Sequence, residues 1–278
     1  MGRRRVAACA AALLVAGCGA APQASSIAVG ATTDGESALL GHLYAAALRS
    51  YGSPSHVEQT EDPLMDLDTG DVEVTPGFTG RLLVRFDPDA TARTGKQVYR
   101  TMISTLPEGI AAGDYTESAQ DSPALAVTDA TARAWDGRDL GDLVRHCRDL
   151  DVGAVAGDRR PSRVGSCELP KVREFADAAT LFASLLAGEV NAAWTSTAAP
   201  DVPDGVVVLA DKSSLIRAEN VVPLYRRNVL DERQVLALNE IAGELDTGSL
   251  ADMLRQVTEG ADPGAVASAW LDAHPLGH

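Results

Sequence analysis

The chain has 278 residues and a formal charge of −15, from 24 Lys and Arg against 39 Asp and Glu, with 45% apolar and only 4% aromatic side chains. A balance this acidic argues against a nucleic-acid partner, and the acids are scattered among apolar residues as on a solvated surface that aids solubility. The length suffices for one large domain or two lobes of ordinary size.

The chain opens as an export signal. Arg3, Arg4 and Arg5 precede an apolar run from Val6 to Ala16 that is too short to span a bilayer and ends on small residues at Val15-Ala16-Gly17-Cys18. Such a leader, residues 1–17, is not part of the fold. Cys18 directly after Val-Ala-Gly resembles the processing box of bacterial lipoproteins, which implies a diacylglycerol-modified thiol holding an extracytoplasmic protein to the cell membrane. The alternative is an ordinary secreted protein cut near Ala20 or Ala21. No later segment has eighteen uninterrupted apolar residues. Residues 18–26, small or polar with Pro22 among them, read as a tether.

A strand is expected at Ile27 to Val29, then a small-residue turn and a helix from Glu36 to about Ser50. Leu39, Leu40, Leu43, Tyr44, Ala47 and Leu48 fall on one face of that helix. Val57 starts a second strand, Asp62 caps a short helix through Leu67, and Asp71 to Thr75 makes a third strand. Further along, strands are expected at 125–127, 152–155, 190–194, 206–209 and 221–224, and helices at 129–135, 139–144 and 178–187. The last fifty residues are helical (230–245, 249–257, 263–271), with Asp262-Pro263 as a helix start. Alternation at this spacing predicts an α/β fold of mixed, mostly parallel sheets flanked by helices. The order suggests two lobes, the first built from 27–113 and 216–275 and the second, 114–215, inserted into it, with a ligand cleft where strand ends face each other.

Once Cys9 leaves with the leader and Cys18 takes lipid, Cys147 and Cys167 remain as a pair in an oxidising compartment. A disulfide between them is the expectation, two buried thiols the alternative. Only His146 lies beside this pair, so a zinc site is unsupported, and no cofactor or metal is expected.

Several stretches are similar, in order, to the substrate-binding proteins of osmoprotectant (glycine betaine/choline/proline betaine) ABC importers. They are Ile27 to Gly30 with Glu36 and the helix Leu39 to Tyr44; Gly70 to Gly80, with Pro76, Phe78 and Thr79; Ala187 to Asn191; Val206 to Asp211; Asn220 to Leu224; and the tail from Leu238-Asn239 to Trp270-Leu271. The resemblance implies a two-lobed, type II periplasmic-binding-protein-like fold. It also implies capture of a small polar solute, a quaternary amine or related osmolyte, for an ABC permease with its separate ATPase subunit. Relatives hold a trimethylammonium head in a cage of aromatic rings and clamp a carboxylate tail. Carried over singly, one cage tyrosine falls on Phe78, a second near Pro123, a third on Glu219 beside Asn220, and a fourth on Trp194 or Thr195. The clamping arginine falls on Arg160, or one residue earlier on Arg159; the lysine falls on Thr32 and the threonine on Arg81. So incomplete a cage predicts a changed ligand. In that cleft Glu219 could pair with an amine, and Thr32, Thr33 and Ser122 could offer hydroxyl hydrogen bonds.

Enzymatic rivals lack their motifs: there is no Gly-x-Ser-x-Gly elbow, no His-Glu-x-x-His helix and no Walker phosphate loop. A second rival keeps the fold without transport, as a lipid-anchored sensor or interaction protein with a degenerate cleft.

Overall fold

The computed structural model describes residues 26–277; the leader, Cys18 and the tether up to residue 25 lie outside them. The chain starts with β1 (Ile27–Ala31), α1 (Gly35–Ser50), β2 (Ser55–Gln59), α2 (Pro63–Thr69), β3 (Val74–Phe78), α3 (Thr79–Phe86), α4 (Gly95–Thr105) and β4 (Ile110–Ala112). It continues with β5 (Pro123–Thr128), α5 (Asp129–Ala134), α6 (Leu140–Arg145), a 3₁₀ turn at Cys147–Asp149, β6 (Val152–Val155), β7 (Arg163–Val164) and β8 (Cys167–Glu168). Then come β9 (Arg173–Phe175), α7 (Ala178–Leu186), β10 (Ala192–Ser196) and β11 (Val206–Val208), and finally β12 (Val221–Arg226), α8 (Glu232–Glu244), α9 (Thr247–Thr258) and α10 (Pro263–Ala273).

Two five-stranded sheets result, in the orders β2-β1-β3-β12-β4 and β11-β5-β10-β6-β9. Helix starts are set locally. Asp34, Asp62, Asp139, Asp177, Asp231, Asp246 and Asp262 each accept a backbone N–H of the first turn, satisfying donors that an uncapped helix would leave bare. Helix α1 differs from a one-faced amphipathic helix: every residue from Ala38 to Leu48 except His42 is buried, because β1, β2, α8, α9 and α10 all pack on it. Contact with β1 is close enough that a Cβ on Gly41 would stand 2.9 Å from that of Ala31. No helix among the described residues is long and apolar enough to cross a membrane.

The sheets are less parallel than expected. β1 pairs parallel with β2 and β3, and β6 with β9 and β10, whereas β12 runs antiparallel to β3 and β4, and β5 to β10 and β11. The two odd strands, β5 and β12, are those entered directly from the other sheet's half of the molecule, without a helical crossover to reverse the chain, so they run against their neighbours. The third strand lies three residues later than expected, at Val74–Phe78, since Asp71 to Glu73 form the approach to the sheet. Helices α3 and α4 and strand β4 fill a region left without an expected element.

Cys147 and Cys167 are joined by a disulfide, a separation of 20 residues, tying the turn after α6 to the β7–β8 hairpin. Cys167 and Val164 pack into the cluster of Leu125, Leu143, Val152 and Trp194 beneath the second sheet. Replacing both cysteines by serine releases a loop closure worth about 3 kcal/mol in the chain-entropy account. The Cys147→Ser/Cys167→Ser protein is expected to lose about that much unfolding free energy in urea titrations under oxidising conditions, and reduction of the wild type should reproduce the loss.

Candidate functional site

Two chain crossings join the halves, at 113–122 and 216–220, and they are bonded side by side. Thr116 N–H donates to Val221 O at 2.9 Å, Gln120 and Asn220 form an antiparallel bridge, and Asp121 N–H donates to Glu219 O at 2.9 Å. Buried Ser122 and Asn220 belong to this seam. Ser122 Oγ accepts from Glu219 N–H at 2.9 Å, and Asn220 Nδ2 donates to Thr116 O at 2.9 Å while its backbone N–H donates to Thr79 Oγ1 at 3.1 Å.

At the seam Arg81, in the first turn of α3, meets three carboxylates. Its Nη1 donates to Glu36 Oε2 at 2.7 Å, its Nη2 to Asp121 Oδ2 at 2.9 Å, and its backbone N–H to Glu219 Oε2 at 2.7 Å. The guanidinium carbon also stands 4.0 Å from the centre of the Phe78 ring, a cation–π contact. Glu219 thus caps the start of α3 from 138 positions away, and only glycine fits at residue 80: a Cβ there would lie 2.6 Å from Ala218 O and 2.7 Å from Glu219 Oε1.

Buried Glu219 and half-buried Glu36 and Asp121 crowd three carboxylates around one guanidinium. Burial first and then the Asp121 charge push Glu36 up to about 8, with Arg81 opposing. Burial likewise raises Glu219 to about 7 against hydrogen bonds from α3 and the charges of Arg81 and Arg217. Glu36 Oε1 is buried with no protein partner among the described residues.

Arg81 stands on the wall of two cavities that open on this cluster. The larger, about 840 Å³, lies between the sheets and is walled by Asp121, Trp194, Thr195 and Glu219 and by the loop after β6, including Arg159 and Arg160. The smaller, about 460 Å³, lies on the first-sheet side and is lined by Thr32, Glu36, Phe78 and Arg85.

The residues singled out from sequence therefore divide. Arg81, Arg160, Trp194 and Glu219 wall the larger cleft; Thr32 and Phe78 line the smaller cavity; Ser122 and Asn220 line neither and bind the crossings together. Arg160 is held by Asp158 O at 3.0 Å and by Glu174 at 3.1 Å. Trp194 is 2% exposed, its ring packed in the second-sheet core with Nε1 unpartnered. Sequence reasoning gave no role to Asp121, Arg93 and Arg217, and noted Glu36 only as part of a motif; none carries a local signal, because each gains its place from contacts across the crossings. Among the described residues no group of three His, Cys, Asp or Glu is arranged to hold a metal ion.

Comparison with known proteins follows this geometry. Residues 168–273 match the family described as the substrate binding domain of the ABC-type glycine betaine transport system. That family comprises binding domains, not enzymes, and the match bears out the resemblance read from the sequence. Apo YehZ from Escherichia coli aligns at TM-score 0.72 with 21% identity, over 91% of this chain and 99% of that one. A glycine betaine/carnitine/choline ABC transporter structure aligns at 0.75 with 15% identity over 90% and 98%, and ProX from Borrelia burgdorferi at 0.55 with 11% identity over 90% and 93%. At these identities the solved structures establish the fold, a type II periplasmic-binding-protein fold. No curated protein matches the chain significantly.

The cluster makes a pH prediction with a definite sign. A carboxyl raised in the folded state contributes stability in full below its unfolded value, about 4.5, and loses it as pH rises towards about 8. His42, lowered by burial, acts in the opposite sense below its ordinary 6.5, so a difference measurement is needed. Glu36→Gln, a permanently neutral replacement, should match wild type near pH 5 and exceed it near pH 8 by on the order of 3 kcal/mol in urea unfolding. Parallel pH profiles for the two proteins would show that Glu36 is ionised at neutral pH.

Proposed function

We propose that this chain is the extracytoplasmic solute-binding component of an ABC importer, anchored to the membrane through lipid on Cys18. It captures a small polar solute between its halves and delivers it to a permease served by a separate ATPase subunit. The observation that carries this reading is the cleft of about 840 Å³ between two sheets, opening directly onto the paired crossings. A solute there touches both halves at once, so its binding energy favours the closed arrangement, which a permease can then distinguish from the open one. In this reading 27–113 with 216–275 forms one lobe and 114–215 the other. The match of residues 168–273 to a substrate-binding family supports it, as do the basic leader and the Val-Ala-Gly-Cys box. Arg81, Arg160, Trp194 and Glu219, expected from the sequence to touch the solute, line this cleft, and Thr32 and Phe78 line the adjoining cavity, which supports the reading.

A chain beginning near Ala20, screened against a panel of small solutes, should gain about 5 °C or more in Tm with its solute at a hundred times Kd, because a ligand that binds only the folded state shifts unfolding by mass action. No response to any solute would favour the lipid-anchored sensor or interaction protein. In bacterial cells the full chain should incorporate labelled fatty acid and fractionate with membranes, and Cys18→Ala should abolish both; label retained in that variant would place the anchor elsewhere.

A further inference from the structure

The walls of the interlobe cleft carry a charge opposite to that of the protein. In a chain of net charge −15, six arginines line this one cavity: Arg81, Arg93, Arg159, Arg160, Arg163 and Arg217. Only three acids accompany them, Asp121, Asp158 and Glu219. Asp121 and Glu219 are already committed to the side chain and backbone of Arg81. Arg160 is paired with Glu174, and Arg163 lies 3.9 Å from exposed Glu168.

Three guanidinium charges have no carboxylate partner among the described residues. Arg93 bonds Leu215 O, Arg217 bonds Ala90 O and Ala92 O, and Arg159 has no hydrogen bond or ion pair. A carbonyl satisfies a donor without cancelling its charge. These cations also come from both sides of the cleft. Arg93 precedes α4 in the first-sheet half and is laced to the return crossing that carries Arg217, while Arg159, Arg160 and Arg163 belong to the loop after β6 in the second-sheet half.

The means of holding an organic cation are meanwhile spent. The face of the Phe78 ring is covered by the protein's own Arg81 guanidinium at 4.0 Å. The two aromatic residues on the cleft wall, Phe182 and Trp194, are 4% and 2% exposed, their rings committed to the second-half cores. A quaternary ammonium gains its attraction from open ring faces, and here none stands free.

We propose that the solute is a small organic anion, carrying a carboxylate, phosphate or sulfonate group, bridged between Arg93 and Arg217 on one wall and Arg159 and Arg160 on the other. This rests on the solute-binding reading and names its ligand class. Like charges on facing walls oppose closure while the cleft is empty, and an anion between them converts that repulsion into attraction, so the ligand itself drives the halves together. Planar guanidinium forks suit such oxyanions, which can accept two parallel N–H bonds from one side chain.

Calorimetric titration and thermal shift of the soluble chain with succinate, glycerol phosphate and isethionate, beside glycine betaine, choline and glycerol, test the inference. At least one of the anions is expected to bind. Arg159→Ala and Arg160→Ala should each weaken it about tenfold or more, the loss of a charge-assisted pair, while Arg255→Ala, on the outer face of α9 and outside the cleft, leaves it unchanged. Binding of glycine betaine, choline or glycerol with no response to any anion would overturn the anion class and leave the solute-binding reading standing. Anion binding undiminished in the Arg159 and Arg160 variants would place the anion outside the cleft and overturn the inference. Silence from all six compounds would overturn the inference, and silence extending over the wider solute panel would overturn the solute-binding reading as well.

Discussion

The geometry between the two halves depends on the placement of one guanidinium. Arg81 is contributed by α3, Glu36 by α1, Asp121 by the outgoing crossing and Glu219 by the returning one, so four separate segments are fixed at a single point. Taking such groups out of water is expensive, and a buried charge is tolerated only when geometry and additional hydrogen bonds compensate. Here the compensation comes from several sources: hydrogen bonds from the guanidinium to Glu36 and Asp121, the capped N-terminus of α3 and the ring of Phe78. The arrangement is therefore sensitive to shape. Gly80 must lack a Cβ for α3 to approach the return crossing, and Asn220 must span from Thr79 to Thr116 for the crossings to lie where Asp121 and Glu219 can reach.

The same cluster sits on the seam where the two crossings run side by side. Backbone bonds run between the crossings, as from Thr116 to Val221 and from Asp121 to Glu219, and they give a ribbon of two antiparallel chains. A ribbon only two strands wide resists separation of its chains yet can bend and twist along its length. Most apolar packing lies in clusters on either side: that of α1 with α8 to α10 and that of α3 and α4 under the first sheet, and those flanking the second sheet, although the α1 cluster also takes in Ala119 of the outgoing crossing and Ala198 of the second half. Each half thus keeps most of its core to itself.

What the sequence disclosed follows this division between local and distant causes. Helix starts were legible where an Asp at the cap and an apolar run after it lie within a few positions, as at Asp62 and Asp262. Strands β1, β6 and β11 were legible as short apolar runs. Helix α3 was not, since its eight residues are too few to show a period and its cap, Glu219, is supplied from 138 positions away. The cysteine pair was legible by exclusion, two thiols being left once the others were assigned. At the site, residue type was a poor guide to role. Phe78 and Glu219 were marked as potential ligand contacts, and the structure shows the first covered by Arg81 and the second capping α3. A sequence gives the inventory of rings and charges; which of them are already used by one another is decided by tertiary contact.

A cleft that favours anions inside an acidic protein raises the question of whether the surface defeats the site. The two act over different distances. Scattered surface carboxylates are immersed in water and salt, where their influence decays over a Debye length of about 8 Å at physiological ionic strength. A solute between the walls instead faces guanidinium groups at hydrogen-bonding range with protein on both sides, where the effective dielectric is lower and each charge counts for several times more. The acidic exterior then slows the encounter of an anion without cancelling the local attraction. It also discourages larger polyanions, which cannot shed the surface charge by entering a cavity of about 840 Å³. Selectivity for small anions over polyanions thus follows from having the positive charge recessed and the negative charge outside, and it requires no specific contact beyond those the arginines make.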